Sequence, residues 1–150
     1  MFRKILLAYD GTREGRVALL ECADIAPLLQ AEIHLLAVMR MPTGVFLPEG
    51  YVPEEVIEEE RRRFQEIVDE GVAALTARGY EAHGHLAVGE PVEEICCLAV
   101  ELGTDLIALG HRKQTSFASR WWKGSVGSSL IERAPCSVLI VVGQDGRPSP

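Results

Sequence analysis

Short apolar segments alternate along the chain with longer segments that have the periodicity of a helix. Strands are predicted at residues 4–9, 32–39, 80–88, 105–109 and 137–142. KILLAY is predicted to be a buried strand, and EIHLLAVM is almost continuously apolar, which is typical of a strand covered on both faces. The third segment, YEAHGHLAV, is a weaker strand because it contains Gly84. The pattern therefore predicts five strands, most of them buried between layers of helix.

Four segments with helical periodicity separate these strands. Thr12 is suited to cap the first helix, and Pro27 is expected in its last turn. Pro53 opens the second helix, because the first helical position tolerates proline. Gly103 is a good stop for the third, and Pro135 ends the fourth. The predicted helices cover residues 13–29, 53–78, 91–102 and 124–133.

Strands that alternate with helices predict an α/β fold, with a mostly parallel sheet and helices on both faces. Right-handed crossovers limit the topologies, and five strands suggest a flavodoxin-like or related doubly wound sheet. Ligands of such sheets bind outside the carboxyl ends of the strands, where the winding reverses. If strand one is central and neighbours strand four, Asp10 and Gly110 frame that crevice.

The loop between strand four and the last helix has the most distinctive chemistry. It contains no acidic residue, although the chain has a formal charge of −7. It ends in Gly124-Ser125, at the start of a helix, where backbone N–H groups and the helix dipole attract anions. A phosphate site and a merely solvated loop both explain this composition. The basic residues of the loop are Arg112, Lys113, Arg120 and Lys123.

Composition bounds the class of protein. The chain has 150 residues, 47% of them hydrophobic and 25% charged, as expected for one globular domain. We expect that domain to cover residues 1–143, with a disordered tail at 144–150. No apolar run approaches the roughly 18 residues that span a membrane, and no signal peptide is apparent, so we expect a cytoplasmic protein. The acidic balance argues against nucleic-acid or membrane partners.

The sequence indicates no metal site. His83 and His85 would share one face of a strand, but no third ligand is apparent, so a solvated edge strand is favoured. The spacing of the cysteines contains no CxxC pair, so we expect small buried thiols rather than zinc ligands. These cysteines are Cys22, Cys96, Cys97 and Cys136.

The chain resembles the universal stress protein family over essentially its whole length. The resemblance rests on KILLAYDGT, LLAV, GEP and DLIALG, and most specifically on GSV followed by APCSVLIV. It implies an adenine nucleotide alpha hydrolase-like sheet in 3-2-1-4-5 order. It also implies a homodimer in which the strand from Ser137 to Val142 pairs with its copy.

Nucleotide-binding members of that family carry a glycine, two residues, a second glycine, nine residues and then Gly-Ser or Gly-Thr. Gly110 matches the first glycine and Gly124-Ser125 the final pair, whereas Lys113 occupies the second glycine position and the spacer has ten residues. Two hypotheses follow. One is a regulatory module that binds ATP or AMP, and the other is a member that binds no nucleotide and acts through dimerisation and partner contact.

The resemblance implies adenine at the ends of strands one and two, and phosphates along strand four and the last helix. ATP is the expected ligand, with Mg²⁺ as a companion if a cation separates Asp10 from the phosphates. A turn role for Asp10 and plain helix capping by Gly124-Ser125 are the alternatives. The implied binding residues are Ala8, Asp10, Val38, Leu109, Gly110, Arg112, Gly124, Ser125 and Val126.

No catalytic residue is predicted. The sequence shows no Ser-His-Asp spacing, no Walker lysine pattern and no carboxylate pair that could be placed in the crevice. His111 is the only candidate base in the loop, and a lone histidine is more often a polar loop residue. We therefore expect a protein that is not an enzyme, with ATP hydrolysis at most slow and incidental.

Overall fold

A computed structural model describes residues 2–41, 52–112 and 125–143. The predictions for the loop after the second strand, for most of the basic loop and for the tail at 144–150 lie outside these residues. Along the described ranges the elements are β1 (Lys4–Ala8), α1 (Arg13–Ala23), α2 (Ala26–Leu29), β2 (Glu32–Met39), α3 (Glu54–Ala77), β3 (Ala82–Val88), α4 (Pro91–Leu102), β4 (Leu106–Arg112), α5 (Ser125–Arg133) and β5 (Ser137–Gly143).

The strands form one parallel sheet in the order β3-β2-β1-β4-β5. This confirms the fold class and the strand order. In the centre, Leu7 of β1 is level with Leu35 of β2 and with Ala108 of β4. The chain moves from β1 outward to β3 and then crosses back to β4 on the other side of β1. The winding therefore reverses at β1, which is where a ligand crevice is expected.

Alternate residues of the central strands enter two separate core layers, because successive side chains of a strand point to opposite faces. Leu7 is 2% exposed and packs in a layer with Leu19 of α1 and Leu75 of α3. Leu6 is fully buried in the other layer, with Ile95 of α4 and Leu130 of α5. The continuously apolar β1 segment is thus covered on both faces, in agreement with its prediction as a buried strand.

The prediction of one helix over residues 13–29 was wrong. The chain forms α1 and α2 separately, and Pro27 lies in the first turn of α2 instead of in a last turn. Proline has no N–H, and its ring would clash with the carbonyl of the residue four positions earlier, here Ala23. The α1 hydrogen-bond ladder therefore cannot run through Pro27. The segment ends at Gln30, whose φ of 53° is left-handed.

Several predicted boundaries differ by one to three residues. β1 ends at Ala8 instead of Tyr9, and β3 begins at Ala82 instead of Tyr80. Pro53 is the residue that caps α3 and not its first helical residue. β4 continues to Arg112, because β5 pairs with it as far as Gly143. This last difference shapes the crevice at the end of β1.

Candidate functional site

The central strand is shorter at its carboxyl end than the strands on either side of it. The pairs of β1 end at Ala8, which is level with Leu36 of β2 and Leu109 of β4. β2 continues for residues 37–39 against β3, and β4 continues for residues 110–112 against β5. Since neighbouring strands lie about 4.8 Å apart, β2 and β4 are separated here by about 10 Å. We call the space beyond Ala8, between these two extensions, the β1 notch.

The side chains at the base of the β1 notch are apolar. Ala8 is half-buried, whereas Val38 and Leu109 are 1% and 2% exposed. All three belong to the core layer that faces α4 and α5, since the register places them on the same face of the sheet. The structure therefore brings the two residues predicted at the adenine, Ala8 and Val38, together with Leu109, which was predicted along the ribose and phosphates.

The backbone of Val38 is directed toward the β1 notch. Leu36 O accepts a hydrogen bond of 2.9 Å from Tyr9 N, so the backbone polar groups of Leu36 point to the β1 side. Those of Val38 point the same way, because direction alternates along a strand. In agreement, Met39, the residue after Val38, accepts from Gly89 N on the opposite, β3 side. A donor and an acceptor two residues above Leu36 suit the edge of a planar base.

Asp10 organises the turn that leads from β1 into α1. Its Oδ1 accepts from Thr12 N at 3.0 Å and from Thr12 Oγ1 at 2.7 Å. Thr12 Oγ1 in turn accepts from Gly15 N at 3.0 Å, which confirms the predicted N-cap. Asp10 therefore stabilises the turn after β1, which was the alternative that the sequence left open. Binding of a nucleotide or a cation by Asp10 stays a prediction.

Gly11 allows α3 to approach this turn closely. Its φ of +80° is left-handed, where a side chain is strained. A Cβ at this position would lie 2.9 Å from Cγ1 of Ile67. The turn after β1 is therefore held between its own capping bonds and α3, and this holds Asp10 at the mouth of the β1 notch.

The phosphate end of the predicted site is described in part. Gly110 and Arg112 lie on the β4 extension, at one wall of the β1 notch. Ser125 and Val126 open α5, which connects the carboxyl end of β4 to the amino end of β5. The N-terminus of α5 therefore lies at the same end of the sheet as the notch. Lys113 and Gly124 are outside the described residues.

A polar group that sequence reasoning did not assemble lies near the amino end of β2 and β3. The register pairs His34 with His83, and His34 is only 5% exposed. His85 and Glu32 are both within hydrogen-bond distance of the His34 ring. The available signal was Glu32-x-His34, polar residues two apart in an apolar strand. Among the described ranges, no group of three or more His, Cys, Asp or Glu side chains is arranged to hold a metal ion.

The cysteines differ in burial. Cys22 is buried, and burial raises its pKa to about 12, so its thiol stays protonated and unreactive. Cys96 and Cys136 are half-buried, and burial also raises the pKa of each. The prediction of a buried thiol was wrong for Cys97, which is exposed. Successive residues of α4 point about 100° apart, so the adjacent Cys96 and Cys97 cannot share the inner face.

Comparison with known proteins agrees with this architecture. The model of the universal stress protein family matches residues 1–142. A universal stress protein of Bacillus subtilis, YxiE, is 33% identical over 148 residues, which covers 94% of this chain and 99% of that protein.

Solved structures show the same likeness. A protein of the universal stress protein family from Burkholderia pseudomallei is 26% identical, with a TM-score of 0.74 over 93% of this chain and 96% of its own. A universal stress protein from Archaeoglobus fulgidus, solved in complex with dAMP, has a TM-score of 0.62 at 21% identity, over 94% and 98% of the two chains, and so shares the fold.

None of the helices in the described ranges combines the length and apolar character that crossing a membrane requires. The family model and the B. subtilis relative both extend over nearly the whole chain. The chain belongs to the universal stress protein family.

Proposed function

We propose that this protein is a regulatory module of the stress response that binds an adenine nucleotide, ATP or AMP, in the β1 notch. The observation that carries the proposal is the early end of β1 between two longer strands, at the point where the winding of the sheet reverses. The A. fulgidus protein that shares this fold was solved with dAMP, which supports the choice of an adenine ligand.

The β1 notch has an apolar end suited to the base of a nucleotide and a polar end suited to its phosphates. Half-buried Ala8 supplies apolar surface for the base, the buried Val38 and Leu109 side chains fix the two strands on either side of it, and the Val38 backbone supplies hydrogen bonds. The phosphates would lie along β4 toward the N-terminus of α5, where unpaired N–H groups and the positive end of the helix dipole favour an anion. Gly110, Arg112, Gly124, Ser125 and Val126 are the residues proposed at this end.

Asp10 suits a site that also holds Mg²⁺. Its carboxylate lies at the mouth of the β1 notch and would repel phosphate oxygens unless a divalent cation lay between them. Mg²⁺ is usually bound through one or two carboxylates together with phosphate oxygens and water, so one aspartate is enough. The cation would neutralise phosphate charge, and Asp10 would hold it there.

We propose that nucleotide binding, and not turnover, is the activity. Asp10 Oδ1 already accepts two hydrogen bonds from Thr12, which orients this carboxylate as part of a turn rather than as a base. Any ATP hydrolysis is therefore expected to be slow and incidental.

Calorimetric titration of nucleotide-stripped protein with ATP and Mg²⁺, with released phosphate measured in parallel, tests this function. Micromolar binding with little phosphate release is the expected result. Absence of heat up to millimolar ATP would overturn the proposal and favour the family member that acts through dimerisation and partner contact. Rapid phosphate release would instead show an enzyme.

Lys113 decides between the two hypotheses, because it stands where nucleotide-binding members have a glycine. If its charge contributes to phosphate binding, Lys113→Gly should weaken ATP binding about tenfold, which is about 1.4 kcal/mol. Lys113→Gln is the matched control, since it keeps a long side chain and removes only the charge. Tighter binding by the glycine variant would show that the lysine obstructs the site and would favour the second hypothesis.

We also propose a homodimer in which β5 pairs with its copy. β5 is an edge strand, and such edges offer unpaired backbone groups to another chain. Its apolar side chains are only partly covered, and Val142 is 44% exposed. A second copy would cover this edge and continue the sheet.

The dimer predicts a specific sensitivity to charge. Val142→Lys should weaken self-association at least about tenfold in sedimentation, because the change places two like charges in one symmetric interface. Val100→Lys adds the same charge on α4, at a residue that is 67% exposed, and should leave the dimer intact. Equal sedimentation of both variants with the unaltered protein would place the interface elsewhere.

A further inference from the structure

Four side chains form a cluster of hydrogen bonds and stacked rings that links β2 to the edge strand β3. His34 Nε2 lies 2.7 Å from Oε1 of Glu32, and His34 Nδ1 lies 2.8 Å from Nε2 of His85. The His83 ring stacks on that of His34 with 5.0 Å between centroids, and its Nε2 is 3.7 Å from Glu32 Oε1. We call Glu32, His34, His83 and His85 the histidine cluster.

The bond between His34 and His85 tolerates one added proton on the two rings but not two. The carboxylate of Glu32 accepts, so Nε2 of His34 donates to it. When His34 is neutral, its Nδ1 accepts from Nε2–H of His85. One added proton leaves a single N–H between the rings: it can bind Nδ1 of His85, with the bond unchanged, or Nδ1 of His34, provided that His85 carries its own proton on Nδ1 and accepts at Nε2. A second proton makes both nitrogens donors that face each other across 2.8 Å, and this side-chain bond between β2 and β3 is lost.

Other charged groups near the histidine cluster do not replace that bond. On β1, Lys4 is level with Glu32 and lowers the pKa of that carboxyl, while its Nζ donates to Leu102 O at the end of α4. From α4, Glu101 acts to raise the pKa of His85. On β3, His83 would add a further positive charge when protonated. Protonation of all three rings would therefore set three cations against two carboxylates and beside a lysine.

We propose that the histidine cluster is a proton-responsive clasp: at neutral pH it adds a side-chain bond to the backbone pairing of β2 and β3, and it loosens the edge strand β3 when a second proton breaks the His34–His85 bond. Burial lowers the pKa of His85 below its usual 6.5, and the neighbouring His34 and His83 lower it further. This direction agrees with a bond that excludes a second proton from the two rings. Because the unfolded chain then binds the proton more readily, stability falls as pH drops below about 6.5. Hydrogen bonding to His34 lowers the pKa of Glu32, so its own contribution is lost only below about 4.5.

Loosening of β3 would also affect the strand that forms one wall of the β1 notch. Beyond Ala8, residues 37–39 of β2 have β3 as their paired strand in the described sheet. Loosening β3 would thus free the wall that carries the Val38 backbone. This consequence for nucleotide affinity rests on the proposed function, whereas the clasp itself does not.

Histidine NMR titration of the unaltered protein tests the clasp without any substitution. The four histidines, His34, His83, His85 and His111, can each be assigned from one His→Gln variant. We expect the bond between the His34 and His85 rings to admit one proton and to exclude the second, so that His85 is protonated only below its usual pKa. Independent titration of both rings near about 6.5 would overturn the proposal.

Amide hydrogen exchange, corrected for intrinsic rates, tests the loosening of β3. When the pH is lowered from about 7.5 to about 5.5, the protection factors of β3 amides should fall at least about threefold more than those of β1 amides. If the open state binds one more proton than the closed state, the protection factor can fall by up to about tenfold per pH unit.

In His85→Gln, the amide of glutamine can donate to Nδ1 of His34 and does not titrate, so this loss should disappear. His111→Gln removes the histidine of β4, two strands away, and should behave as the unaltered protein. Equal loss in all three proteins would show that the cluster is structural only. Neither measurement uses nucleotide, so a failure of the clasp is distinct from a failure of the proposed function.

Discussion

Gly124→Asp is expected to abolish ATP binding while the fold remains intact. Gly124 precedes α5 in the sequence, and its match to the family's Gly-Ser pair is the ground for proposing it at the terminal phosphates. A carboxylate there adds bulk and a negative charge at the place where the helix N-terminus should meet an anion. We expect a loss of at least about a hundredfold in affinity, about 2.7 kcal/mol, in the same calorimetric titration.

A matched control separates this local effect from an added charge in general. Gly103→Asp introduces the same side chain after α4, at the opposite end of the sheet, where a Cβ meets nothing within 4 Å. Its φ of +66° carries some strain, which aspartate tolerates better than most residues. This control should bind ATP as the unaltered protein does. Retained binding by Gly124→Asp would show that the phosphates lie elsewhere.

Ile95→Ala is expected to cause the largest loss of stability, about 2 to 5 kcal/mol in the free energy of unfolding. Ile95 is completely buried on the inner face of α4 and packs in the core layer that contains Val38 and Leu109. Removing three carbons there leaves a cavity that the packed layer can close only in part. Urea denaturation monitored by circular dichroism measures the change.

Val100→Ala is the control on the same helix. Val100 is 67% exposed, so its truncation should change the free energy of unfolding by no more than about 0.5 kcal/mol. Similar losses in the two variants would contradict the assignment of α4's inner face. Because the Ile95 layer also forms the base of the β1 notch, Ile95→Ala should weaken ATP binding as well.

The number and type of the elements could be predicted from hydrophobic periodicity, and most were. The failure at residues 13–29 has a specific cause: apolar spacing stays helical through Pro27, whereas the backbone hydrogen bonds do not. The end of β4 was placed too early for a different reason. Gly110, His111 and Arg112 have little strand signal of their own, and it is pairing with β5 that keeps them extended.

The candidate site was predictable only in its parts. Asp10 and Gly110 follow apolar strands in the sequence, which indicated a crevice between them. The β1 notch depends on relative strand lengths, which follow from pairing across the sheet. Thr12 as a cap was predictable because its partner, Gly15 N, is only three residues away.

What the sequence determined by itself is the set of local and periodic features: apolar strands buried on both faces, amphipathic helices, the cap at Thr12 and the alternation that requires a parallel sheet. The tertiary structure alone decided which residues meet across strands. His34 and His85 are 51 positions apart, and only the register of β2 with β3 brings their rings within 2.8 Å. Local propensities act over a few residues, whereas register is set by packing of the whole sheet, so contacts of this kind follow from the fold and not from any single segment.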